Sequence, residues 1–235
     1  MKYNKWKQFA LIIFFIAMGF QLESFLFVPG NDSFVWFSCG LPYGVNAKQL
    51  LQWYAGICAI FLYTSATIER ETADNKLNQL LRYKTRKHFF FRILFKHIGR
   101  TCLLLIVLII ITGCIRWKFE FYDKNLLTIL DFRNIIIMFI AMIVLATTQL
   151  VLEMFLPHLY AFGLINIYTL IGLGLGNSEK IKLLKVFMLP NLLMGYRVEQ
   201  SKQISAVVMI VAIEIFMILL YAKLSKNKNI CGVIT

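Results

Sequence analysis

Charge is what this chain has least of. Only 16% of its 235 residues are charged, 59% are hydrophobic, and the mean hydropathy is +0.70. Soluble domains carry roughly 25% charge, so an ordinary soluble domain is excluded. Four prolines and 13 glycines exclude a collagen-like or disordered chain. The five cysteines (Cys39, Cys58, Cys102, Cys114 and Cys231) form no C-x-x-C. That removes zinc and thioredoxin-type motifs and leaves no disulfide framework. There is no G-x-x-x-x-G-K-[ST], so the chain has no P-loop of its own for ATP. There is no H-E-x-x-H and no Glu-Glu pair, which argues against zincins and a Glu-Glu-x-x-x-Arg intramembrane protease. Ser65 and Ser205 have no histidine partner in their own regions. Catalysis, and a metal or cofactor held by this chain, are not expected.

What is present is long apolar runs. Their unbroken character argues against a β-barrel, whose strands alternate apolar and polar residues. A hydrocarbon core of about 30 Å takes about 20 residues of helix. Six stretches meet or approach that length: 8–28, 50–68, 101–117, 135–152, 159–176 and 204–222. The expected fold is therefore an all-α membrane protein, with residues 1–235 as a single six-span domain. The first stretch runs through Gln21 and Glu23 with no small-x-small cleavage pattern, so it reads as a retained helix rather than a signal peptide. The fifth is the least simple, interrupted by Asn166 and three glycines.

The net charge of +13 would suggest nucleic acid in a soluble protein. Here the basic residues flank apolar runs, so they read as cytoplasmic anchors facing anionic lipids, and no nucleic-acid partner is expected. With the amino terminus in the cytoplasm, 15 of the 25 Lys and Arg fall inside, nine of them within 69–100. Both termini are then cytoplasmic. Trp6, Trp36, Trp53 and Trp117 fall at or near span ends, where indole rings favour the interface.

Residues 69–100 are the most informative stretch. Leu77, Leu80 and Leu81 make a short helical stripe among Lys76, Arg82, Lys84, Arg86 and Lys87. Phe90, Ile93, Leu94 and Ile98 share one helical face, and Arg92, Lys96 and Arg100 recur every four residues on another. This pattern fits an amphipathic helix on the inner leaflet. Two uses stay open: anchoring the segment, or docking a cytoplasmic protein.

The run Glu69-Arg70-Glu71-Thr72, then Leu80-Leu81, then Arg82-Tyr83-Lys84-Thr85-Arg86 resembles permease subunits of type-2 ABC exporters. In that family the second span ends in Glu-x-Glu-x-Gly-Thr, followed by a Leu pair and Pro-x-Ser-Arg. The form seen here looks like a small Gram-positive branch linked to peptide export and peptide immunity. Two residues are added before the Leu pair, and the proline is replaced. The resemblance implies that this segment carries a coupling helix for a separate ATPase subunit. Glu69, Glu71, Leu77, Leu80, Leu81, Arg82, Lys84 and Arg86 would be its docking residues. ATP and magnesium would be bound by that partner. A second permease copy or a paralogue would complete the path, and amphipathic or antimicrobial peptides would be the substrate. A non-transport immunity or sensor subunit, and an integral membrane enzyme, are the alternatives.

Few polar residues lie inside the spans. Gln21 and Glu23, Thr147, Thr148 and Gln149, and Glu214 are the main ones, and an intramembrane ionisable group must face protein or water. Glu214 reads as either a pathway residue or a carboxyl bonded to a neighbouring helix. Residues 177–203 are too apolar for a solvated loop and contain Pro190. They fit a re-entrant pair of short helices, tolerated where protein covers the backbone. Gly172 and Gly176 form a G-x-x-x-G pair suited to close helix packing.

Overall fold

The computed structural model describes residues 47–73, 86–119, 129–176, 189–194 and 203–227. Every element among them is helical, and no strand occurs there. In chain order they are α1 Ala47–Thr64, α2 Thr67–Ala73, α3 Arg86–Phe119, α4 Ile129–Glu153, α5 His158–Gly176, α6 Leu189–Leu192 and α7 Gln203–Asn227. Among the described residues, three stretches are long and apolar enough to cross a membrane: His88–Ile110, Arg133–Glu153 and His158–Leu175. They fall on the third, fourth and fifth expected spans. Helices α1 and α7 occupy the second and sixth. The first lies outside the described residues.

The order of the chain puts alternate helix ends together. Ile68, the start of α3 (Phe89 to Leu94), the end of α4 (Leu150 to Met154) and Tyr221 near the end of α7 form one apolar cluster. We call this the near end. The larger cluster takes Ile57, Ile60 and Phe61 of α1, Leu105 and Leu108 of α3, Met138, Met142 and Leu145 of α4, Ile165 of α5 and Ile210 of α7. Helix α4 is the axis, since it touches each of the other six. Its apolar stretch is 61% buried, against 33% for those of α3 and α5. Facing apolar residues of α3, α5 and α7, such as Leu103, Ile167 and Phe216, stay exposed. In a bilayer such faces meet lipid, and association between helices rests on packing and hydrogen bonds.

Helix α3 extends the third expected span backwards through the Phe-rich stretch that precedes it. Its 34 residues span about 51 Å at 1.5 Å per residue. The amphipathic stretch 86–100 is the first part of this helix, not a separate surface helix. Phe90, Ile93 and Leu94 are buried against α4 and α7, so that face packs into the bundle instead of the bilayer surface. The periodicity was legible; its partner was not. Trp53, near an expected span end, is 3% exposed and packs in the main core. Tryptophan at a span end faces inward when neighbouring helices offer an apolar wall.

At the far end, α6 and the two residues after it, Leu193 and Met194, are buried. They pack on α5 and α4. Gly172 makes this possible: a Cβ there would lie 2.7 Å from Pro190 Cγ. Gly172 thus serves helix packing, and Pro190 is its neighbour.

Candidate functional site

The near end gathers a cluster of buried polar side chains around a break in the second expected span. The stretch 50–68 reads as one helix by hydropathy. It contains Thr64, Ser65 and Thr67, residues whose hydroxyls compete for backbone groups. In the structure α1 stops at Thr64, and α2 starts at Thr67. Ala66 between them has φ 56°, a left-handed conformation that costs an L-residue about 1–2 kcal/mol.

Side chains hold the break. The Thr64 hydroxyl reaches Ile60 O at 2.9 Å, Ser65 Oγ donates to Leu62 O at 2.7 Å, and Thr67 Oγ1 lies 2.5 Å from Thr64 O. From α4, Gln149 Nε2 donates to Phe61 O at 3.2 Å. Glu153 Oε1 accepts the Ala66 amide at 2.9 Å, and its Oε2 lies 3.5 Å from the Ile68 amide. Glu153 is 5% exposed. Burying a carboxylate is costly unless hydrogen bonds meet it, and backbone N–H groups do so here.

His97 of α3 is fully buried beside this break. Its Nε2 faces Ala146 O of α4 at 2.9 Å, so Nε2 carries a proton and donates. Its Nδ1 lies 3.0 Å from Thr67 Oγ1, whose one proton is shared between Nδ1 and Thr64 O. One imidazole therefore ties α2 to α4.

The acidic run leaves the break and crosses to two other helices. Glu71 Oε1 is 2.6 Å from Lys96 Nζ and 3.2 Å from Arg100 Nη2, both on α3. Burial alone would raise the Glu71 carboxyl. The hydrogen bond and charge of Lys96, with those of Arg100, outweigh it and hold the group below its ordinary value. Glu69 Oε1 accepts from His158 Nδ1 at 2.8 Å, at the start of α5. The basic face of 86–100 thus has a partner within the chain: two of its three residues turn to Glu71.

Of the other sequence-derived site residues, Gln149 joins the break and Glu214 does not. Glu214 Oε1 accepts from Thr147 Oγ1 at 2.9 Å, and no protein group among the described residues meets its buried Oε2. Gln21, Glu23, Leu77, Leu80, Leu81, Arg82 and Lys84 lie outside the described residues, and Arg86 opens α3. In mid-bundle, Asn166 does not merely interrupt its helix: its side chain accepts from Tyr54 Oη and donates to Phe162 O at 2.6 Å. No group of three or more His, Cys, Asp or Glu with metal-binding geometry occurs among the described residues.

Sequence reasoning missed Glu153, His97 and His158. Glu153 stood one residue past an expected span end, where a carboxylate reads as solvated. The available signal was Gln149 and Glu153 four residues apart, on one helical face, with the hydroxyl run 64–67 elsewhere in the chain.

These features define a membrane protein, all-helical among the described residues, with a cluster of buried polar side chains at one end of the bundle. The chain belongs to the family described as "Protein of unknown function (DUF2705)", whose family model matches residues 9–231. No curated protein and no solved structure matches it.

Proposed function

We propose that the chain is the membrane-spanning permease subunit of an ATP-driven ABC exporter. One observation carries this reading. The acidic turn of α2 is clasped to α3 through Glu71 and to α5 through Glu69. Both stems of residues 74–85 are thereby fixed at the near end, and those residues hold Leu77, Leu80, Leu81, Arg82 and Lys84. A docking element needs an apolar anchor with charged flanks and a rigid mount if it is to transmit movement.

In this reading the fold has six spans with both termini in the cytoplasm. Residues 74–86 dock a separate ATPase that binds ATP and magnesium, and this chain performs no catalysis. A second copy or a paralogue faces it across the membrane. The substrate is an amphipathic or antimicrobial peptide that uses an apolar groove between the two subunits and lipid. Gln21, Glu23, Gln149 and Glu214 are the polar residues available to a path. The buried far-end segment 189–194 is part of a re-entrant element that closes the outer side.

The test is co-purification of the chain with a P-loop ATPase from its native membrane. Leu80→Asp and Leu81→Asp place a charge in an apolar contact and should abolish the association while the chain remains inserted. Retention of full assembly in both variants would place docking elsewhere or remove the reading.

A further inference from the structure

The break between α1 and α2 shows a pattern of substituted bonds. In a continuous α-helix the Ala66 amide would bond Leu62 O, and the Ile68 amide would bond Thr64 O. Here each of those bonds is divided between two other partners. The Ala66 amide goes to Glu153 Oε1, and Leu62 O takes the Ser65 hydroxyl. The Ile68 amide faces Glu153 Oε2, and Thr64 O takes the Thr67 hydroxyl. The backbone groups of these two bonds therefore have partners in the broken form. They would also have partners in the unbroken form, namely each other.

We infer that this joint is a two-state element: a broken form held by Glu153, and a continuous helix running from α1 through α2. The left-handed Ala66 favours the continuous form, because closing the helix removes its strain. The Glu153 carboxylate favours the broken form, because it binds both amides from a helix that is not part of the joint. Where the same backbone groups have two alternative sets of partners, a joint switches between them instead of deforming gradually. Glu153 is thus a positioning residue. While it holds the amides, α2 lies where Glu69 meets His158 and Glu71 meets Lys96 and Arg100. When it lets go, α2 swings into line with α1 and both clasps open. The consequence for docking rests on the permease reading: α2, which leads into the docking segment, would then move, and the end of α4 would sense it.

Cross-linking on the purified, membrane-reconstituted full chain tests this. The five native cysteines are replaced by alanine, and Glu69→Cys with His158→Cys reports the broken form through a short bis-methanethiosulfonate. A separate pair, Thr147→Cys with Glu214→Cys, reports an intact bundle away from the joint. Glu153→Ala should slow the first cross-link roughly tenfold, the scale of losing one partner of buried hydrogen bonds, and leave the second unchanged. Ser65→Ala frees Leu62 O for its helical amide and leaves the Thr67–His97 contact in place. It should slow the first cross-link even with Glu153 in place, and it decides the matter if Glu153→Ala does not hold the bundle. Glu153→Gln, which keeps one acceptor oxygen, should restore part of the rate. An unchanged first cross-link in the variants that keep the second would overturn the joint. The measurement uses no ATPase, so its failure and a failure of the docking reading are separate results.

Discussion

Glu153 and Ala66 stand 87 residues apart in the chain, yet a carboxylate oxygen of one lies 2.9 Å from the backbone nitrogen of the other. This bond decides where the chain goes after α1. Replacing Glu153 by Ala removes the acceptor that holds the Ala66 and Ile68 amides in the broken form. A charged hydrogen bond of this kind contributes about 1.5–3 kcal/mol. Glu153→Ala should lower the thermal unfolding midpoint of the detergent-purified chain by several degrees, and Glu153→Gln by less. Equal midpoints for wild type and Glu153→Ala would show that the bond carries no stability.

Two glycines on α5 give opposite expectations. At Gly172 a Cβ would meet Pro190 Cγ at 2.7 Å, whereas at Gly174 nothing lies within 4 Å. The proline ring cannot flex away as a long side chain would, so Gly172→Val should displace α6 and cost about 1–3 kcal/mol. Gly174→Ala should be neutral or stabilise by up to about 1 kcal/mol through helix propensity. Thermal unfolding of the two variants checks this. Equal destabilisation by both would contradict the packing of Pro190 on Gly172.

The Glu71 clasp should be sensitive to acid. Its carboxyl is held below the ordinary value by Lys96 and Arg100. A carboxyl lowered in the folded state contributes stability that is present above its ordinary value, about 4.3, and is lost as pH falls through the lowered folded value. Lys96 is 42% exposed, so solvent screening limits the contribution to about 1 kcal/mol or less. The difference in stability between wild type and Glu71→Gln should therefore be constant near neutrality and shrink toward zero in acid. A difference that grows on acidification would contradict the pairing.

Topology gives a fourth expectation. Nine of the 25 Lys and Arg lie within 69–100, and exporting such a cluster runs against the positive-inside rule. Thr85→Cys, in a chain otherwise free of cysteine, should resist membrane-impermeant maleimide in intact cells and react after permeabilisation. Labelling in intact cells would invert the orientation.

The helical class and the membrane character were legible, because runs such as 135–145 are apolar without interruption. The alternation of Phe90, Ile93 and Leu94 with Arg92 and Lys96 was legible too, as a helix with two faces. Hydropathy could not say that the apolar face packs on α4 and α7, since lipid and a neighbouring helix select the same residues. The break at Ser65–Ala66 was hidden for a different reason. Thr and Ser lower hydropathy only slightly, and the carboxylate that makes the break affordable comes from Glu153, far along the chain. Glu69 and Glu71 were picked out through a resemblance, but their partners His158, Lys96 and Arg100 depend on how three helices converge. Gly172 was read as a packing residue; that its neighbour is Pro190 needed the fold.

Photocross-linking at Leu80 tests most directly the proposal that the segment between α2 and α3 docks an ATPase. A benzoylphenylalanine placed at position 80 in the full chain, irradiated in native cells, should capture one soluble partner that carries a P-loop. The same probe at Leu126, expected on the outer side, should not capture it. A P-loop ATPase joined at position 80 and absent at position 126 is the expected result. Capture of lipid alone at position 80, or of the same protein at both positions, would contradict the permease reading.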